Sequence, residues 1–84
     1  MPRIKKLLVA NRGEIATRVI RSARERDVDT VAVYSEPDAD ATFVHAADQA
    51  VPLPGASPAE TYLRTDLVIA AARHVGADAV HPGY

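Results

Sequence analysis

Short apolar runs alternate with helical patterns along this chain, and that alternation constrains its fold more than any other feature. Lys6 to Ala10 is an apolar run of strand length, stopped by Asn11-Arg12-Gly13. From Gly13 to Arg26, apolar residues fall at 15, 16, 19, 20 and 23, a one-sided helical stripe. Glu14 precedes Arg18 by four residues and Arg21 precedes Glu25 by four; such pairs support an exposed helix face by roughly a few tenths of a kcal/mol each. Thr30 to Tyr34 is β-branched and reads as a second strand. Ser35 to Asp40 is turn chemistry. Thr42 to Ala47 has room for one or two helical turns, and Gln49 to Leu53 reads as a third, weaker strand with Pro52 near its end.

Ser57-Pro58-Ala59-Glu60 is a helix-start signal: Ser57 can cap, Pro58 suits the first helical position, and Glu60 can close a capping box. A short helix to Leu63 is expected. A longer one follows from Thr65 or Asp66 to Val75, ended by Gly76 as a left-handed cap. Ala77 to His81 is the fourth strand, and Pro82-Gly83-Tyr84 opens a loop. The order β-α-β-(α)-β-α-β implies an α/β fold, a parallel sheet with helices on both faces.

Eighty-four residues make one small domain, with no linker, repeat or low-complexity segment. An apolar content of 48% excludes a disordered chain. A chain this short buries only about 60% of its unfolded surface, so marginal stability is expected. Ten Lys and Arg against eleven Asp and Glu give a net charge of −1, with no global pull toward nucleic acid or an anionic membrane. The absence of cysteine excludes a disulfide framework, a thiol nucleophile and a cysteine-based zinc site, and is compatible with a reducing cytoplasm. The longest apolar run, Leu67 to Ala72, is far short of the about 20 residues that span a bilayer. The basic start, Met1 to Lys6, lacks the longer apolar stretch of a signal peptide. A soluble, cytoplasmic chain is the expectation.

In an open parallel sheet, ligands bind outside the carboxyl ends of the strands. Those ends are Asn11-Arg12-Gly13, Ser35-Glu36, Leu53-Pro54-Gly55 and His81-Pro82-Gly83-Tyr84, all expected on one edge. A dinucleotide site after the first strand fits poorly. Glu36 has nearly the spacing of a ribose-binding acid, but the phosphate turn has one glycine, Gly13, followed at once by Glu14, whose carboxylate would compete with a phosphate. A Walker A loop is absent. His45, His74 and His81 form no metal spacing. His45 reads as a surface helix residue and His74 as a helix-end cation. His81 ends a strand on the ligand edge, where it can fix the following turn through the backbone or meet a substrate. Arg18, Arg21, Arg24 and Arg26 crowd one helix; they form either a solvated face or an interface. Glu14, Glu25, Asp27 and Asp29 interrupt the positive field, and no aromatic residue interleaves with the arginines, which argues against nucleic acid.

The string Leu8-Val9-Ala10-Asn11-Arg12-Gly13-Glu14-Ile15-Ala16 resembles the opening of the biotin carboxylase family, the ATP-dependent component of acyl-CoA carboxylases and pyruvate carboxylase. The resemblance continues through Arg18-Val19-Ile20-Arg21, Val31-Ala32-Val33-Tyr34-Ser35, Asp38-Ala39-Asp40, His45-Ala46-Ala47-Asp48, Glu60-Thr61-Tyr62-Leu63 and His81-Pro82-Gly83-Tyr84, so it covers nearly the whole chain. The first few residues and the Leu53-Pro54-Gly55-Ala56 loop are less typical.

The resemblance implies a Rossmann-like domain that precedes an ATP-grasp domain, over residues 1–84. It implies that the intact enzyme cleaves MgATP to activate bicarbonate as carboxyphosphate and carboxylates biotin on a carrier domain, after which a carboxyltransferase passes the group on. It implies ATP, magnesium and biotin as cofactors, and a homodimer. Gly83 and Tyr84 match positions lining the biotin end of the site. Arg18, Arg21 and Glu25 match positions at or near the dimer interface. Asn11, Arg12, Gly13 and Glu14, with His81 and Pro82, are assigned a structural role, and no catalytic residue or metal ligand is assigned. The family continues with a Gly-Phe-Leu-Ser-Glu-Asn-like segment and the ATP-grasp machinery, so these 84 residues alone are expected to be inactive, to lack part of the sheet and to be weakly stable or self-associated. A non-catalytic module for dimerisation or assembly of a carboxylase complex is the alternative. An independent nucleotide-binding domain is disfavoured by the missing glycines.

Overall fold

A computed structural model describes residues 4–82. Four strands, β1 (Lys6–Val9), β2 (Asp29–Tyr34), β3 (Gln49–Pro52) and β4 (Ala79–His81), form one sheet in the order β3-β2-β1-β4. Every neighbouring pair is parallel. Helices α1 (Gly13–Glu25), α2 (Thr42–Ala46) and α3 (Thr65–Val75) make the connections, with single 3-10 turns at Glu36–Asp38 and Pro58–Glu60. This is the α/β architecture expected from the alternation of runs.

The register decides which side chains meet. Leu8 lies beside Val31 and Val80, and Val9 beside Ala32 and His81. Successive residues of a strand point to opposite faces, so the sheet carries two cores. On one face Val9 and Ala32 pack with Ala16 and Ile20 of α1 and Phe43 of α2. On the other, Leu8, Val31 and Val33 pack with Leu53 and with Val68, Ala71 and Ala72 of α3. Right-handed crossovers account for the division: the chain steps one way from β1 to β2 to β3, then returns past β1 to reach β4. The reversal puts the switch point between β1 and β4.

Helix ends follow the sequence, with one surprise. Gly76 ends α3 at φ +71°, and Ala77 N–H donates to Ala72 O at 2.9 Å. The same closure ends α1, where Val28 N–H donates to Ala23 O at 2.9 Å, but the left-handed residue is Asp27 at φ +58°. Aspartate is one of the few side chains that adopt this conformation, and nothing in the apolar periodicity marks it.

Three details depart from the pattern-based expectation. The Ser57–Glu60 capping box closes, yet it starts only a 3-10 turn and no helix to Leu63. Thr61 turns inward instead, fully buried, with its hydroxyl donating to Ser57 O at 2.8 Å. β4 begins at Ala79, because Ala77 belongs to the α3 cap and Asp78 turns its carboxylate to β1. The Glu14–Arg18 and Arg21–Glu25 spacings form no ion pair; among the described residues the pairs are Arg64–Asp66 and the longer His45–Asp40.

The amino edge of the sheet is fastened by carboxylates. Asp78 accepts the backbone N–H groups of Lys5 and Lys6, both at 2.9 Å, and Asp48 accepts Thr30 N–H at 2.8 Å. These acids satisfy donors at the starts of β1 and β2. The opposite edge is left to other residues.

Candidate functional site

The strand ends place Asn11, Ser35, Leu53 and His81 along the carboxyl edge, as a parallel sheet requires. At β1 the chain leaves through Asn11 and Arg12 into α1. Asn11 Oδ1 accepts Arg12 N–H at 2.8 Å, and Thr17 hydroxyl donates to Gly13 O at 3.1 Å. Gly13 stands at φ +66°, so it lets the chain turn sharply from strand to helix. Glu14 lies exposed in the first turn of α1, favoured there by the helix dipole.

Across the switch point, Ala10 N–H donates to His81 O at 2.8 Å and Asn11 Nδ2 donates to Pro82 O at 2.9 Å. Of the residues assigned to structure, Asn11, Arg12, Gly13, His81 and Pro82 therefore cluster where β1 and β4 end. His81 is half-buried on the α1 side of β4. Gly83 and Tyr84, matched to the biotin end of the site, lie outside the described residues.

A second group sits at the end of β2. Tyr62 hydroxyl donates to Asp38 Oδ2 at 2.6 Å and accepts Ser35 N–H at 3.0 Å, while Ser35 hydroxyl donates to the same carboxylate oxygen at 3.0 Å. Burial, followed by the hydrogen bond to Asp38, raises the Tyr62 pKa above its ordinary value. Beside it Glu36 N–H donates to Gly55 O at 3.1 Å, tying the β3 loop to the β2 loop. The Ser57 backbone and side chain hold the Glu60 carboxyl below its usual range. Tyr62 carried no role in the sequence reading. Its only signal was membership of the Glu60-Thr61-Tyr62-Leu63 string, since partners 24 residues apart leave no periodic trace.

α1 turns an exposed flank away from the sheet. At about 100° per residue, Arg18, Arg21 and Glu25 fall within roughly 60° of one another. All three are exposed and none is paired with a described residue. Alongside runs an open groove of about 560 Å³ between α1 and the β1–β4 side of the sheet, floored by Leu7, Val19 and Val28. Ile15 belongs to the apolar stripe but is 48% exposed here, because no described element covers β4 on the α1 face.

The donor set bears on the cofactors. No three His, Asp or Glu side chains converge as a cation site among the described residues. The α1 turn offers one glycine and then a carboxylate, which does not fit a triphosphate. These residues build a fold edge.

Residues 3–84 match the family model described as "Biotin carboxylase, N-terminal domain". The chain belongs to the biotin carboxylase family. This biotin carboxylase domain is 56% identical over 82 residues to the biotin-dependent acyl-coenzyme A carboxylase alpha3 subunit of Mycobacterium leprae, a match covering 98% of the chain and 14% of that protein. Among solved structures, it superposes with a TM-score of 0.91 on the biotin carboxylase domain of a thermophilic 2-oxoglutarate carboxylase bound to ADP, at 49% identity, covering 98% of the chain and 18% of that one. A single-chain, multi-domain long-chain acyl-CoA carboxylase gives a TM-score of 0.91 at 54% identity, over 95% of the chain and 8% of that protein. The domain thus spans less than a fifth of each of these relatives.

Proposed function

We propose that the chain is the N-terminal scaffold domain of an ATP-dependent biotin carboxylase. In the complete protein, MgATP and bicarbonate carboxylate biotin on a carrier domain, and a carboxyltransferase receives the group. The observation that carries this reading is the family match across residues 3–84, together with a fold that superposes at a TM-score of 0.91 on a solved biotin carboxylase domain. Gly83 and Tyr84 follow Pro82 in the sequence, and we assign them to the wall of the biotin site. The exposed α1 flank of Arg18, Arg21 and Glu25 is assigned to a homodimer. The cysteine-free composition fits a cytoplasmic enzyme.

The test is ATP cleavage by the purified full-length protein. Hydrolysis that depends on both bicarbonate and biotin is the expected result, with none from residues 1–84 alone. Full-length protein without biotin-dependent cleavage overturns the reading. The α1 flank, bearing three exposed and unpaired charges, favours assembly as a second role of the same domain. A full-length protein that assembles with a carboxyltransferase but cleaves no ATP would make that role the primary one.

A further inference from the structure

We propose that the open groove beside α1 is the seat of an amphipathic helix that carries acidic residues and belongs to another part of the same polypeptide. The inference goes beyond the function proposed above and rests on it only in taking these residues as one domain of a longer carboxylase.

A parallel sheet is covered on both faces. On the α1 face, α1 and α2 lie over β1, β2 and β3, and no described helix lies over β4. By register, Ala79 and His81 share that open face with Leu7 and Val9. Ile15 and Ile4 line the groove and are 48% and 51% exposed. Apolar side chains gathered in one place, rather than scattered singly, mark a docking surface. The layer that α1 belongs to is built of helices. The stretch of α1 that borders the groove, from Ile15 to the C-cap Arg26, is about 16 Å long, which matches about three turns of a neighbouring helix.

Charge and chain length select the occupant. The groove is bordered by Arg18 and Arg26, both exposed and neither paired with a described residue, and no acidic side chain lines it. A second copy docked groove to groove about a two-fold axis would set these guanidiniums against one another. A helix with an apolar face flanked by Asp or Glu satisfies both the floor and the rim. The chain matches two similar proteins over 98% of its own length but only 14% and 18% of theirs. The remainder of such a polypeptide is tethered beside the groove at high effective concentration. The groove also differs from the flank assigned to the homodimer. At about 100° per residue, Ile15, Ser22 and Arg26 fall within about 80° of Arg18 on one side, and Arg21 and Glu25 within about 60° on the other.

The test uses the full-length protein. Ser22 is exposed in the groove, so Ser22→Cys places a thiol there. Its maleimide labelling is compared, by mass spectrometry, with that of the same thiol in the urea-unfolded protein. Slowing of at least about a hundredfold, unchanged on dilution to nanomolar protein, is expected. A smaller slowing leaves the groove open and overturns the proposal. Slowing that disappears on dilution assigns the groove to a second copy and overturns it as well. A photoreactive benzoylphenylalanine placed at Ile15 should cross-link within the same polypeptide, outside residues 4–82 and within one helical turn of Asp or Glu; a cross-link between two copies overturns the proposal. Arg26→Glu should speed labelling of the Ser22→Cys thiol about tenfold, and Arg26→Lys should leave it unchanged. Equal labelling with Arg, Lys and Glu at position 26 overturns the acid-bearing helix. None of these readouts needs ATP cleavage, so they decide the occupant of the groove even where the functional reading fails.

Discussion

The Tyr62 hydroxyl lies 2.6 Å from the Asp38 carboxylate and joins two segments that the sheet itself does not connect. Asp38 belongs to the turn after β2, and Tyr62 follows the 3-10 turn after β3. The Tyr62 ring packs against both cores at the edge of the sheet. It also accepts the N–H of Ser35, which is buried. One side chain thus closes the carboxyl end of β2 and satisfies a backbone donor there.

Tyr62→Phe keeps the ring and removes the hydroxyl. Ser35 N–H loses its acceptor, and Asp38 keeps the Ser35 hydroxyl alone. A loss of about 1–2 kcal/mol of stability is expected, read as a lower urea midpoint with an unchanged m-value. A midpoint equal to wild type would show that water replaces the phenol at no cost.

Two left-handed glycines should respond differently to alanine. Gly13 stands at φ +66° with nothing within 4 Å of an added Cβ, so Gly13→Ala carries only the left-handed strain, about 1–2 kcal/mol. Gly55 stands at φ +125°, and its Cβ would meet Glu60 Cβ at 2.8 Å. That approach forces the capping-box turn to move, so Gly55→Ala should cost more than Gly13→Ala in thermal unfolding. The reverse order would show that the Ser57–Glu60 turn yields easily.

These positions also show what could be read from residues alone. The four strands, the α1 and α3 stripes, the Gly76 cap and the Ser57–Glu60 box all rest on interactions within a few residues, so local pattern reveals them. The side-chain links Asn11–Pro82, Tyr62–Asp38 and Asp78–Lys6 join residues 71, 24 and 72 apart. Periodicity carries no information at such separations, and topology alone brings these residues together. Ile15 illustrates the converse. Its place in the stripe suggested burial, but a helix buries only the side that another element covers.

The α1 flank gives a sharp test of assembly. Arg18, Arg21 and Glu25 are exposed, and no described carboxylate or cation neutralises them. Arg21→Glu reverses one charge at the centre of the flank. In the full-length protein it should weaken self-association at least about tenfold, the range expected of an interface arginine, as read by sedimentation velocity. An unchanged dimer at nanomolar concentration would remove the flank from the interface.

Acid should loosen the amino edge of the sheet. The N–H groups of Lys5 and Lys6 hold the Asp78 carboxyl below its ordinary value of 3.8. In the unfolded chain that value returns, so between the two values the unfolded state binds more protons than the folded one. Stability from this group is therefore complete above the unfolded value and is lost as pH falls through the lower, folded value. Glu60 and Asp66 are depressed in the same direction, by Ser57 and Arg64 respectively, and add to the same acid limb. Asp78→Asn keeps an oxygen for the two N–H groups and removes the titration. It should lower Tm modestly at neutral pH and flatten its fall between about pH 5 and pH 3. A variant whose acid limb runs parallel to wild type would show that Asp78 does not carry the proton linkage at the start of β1.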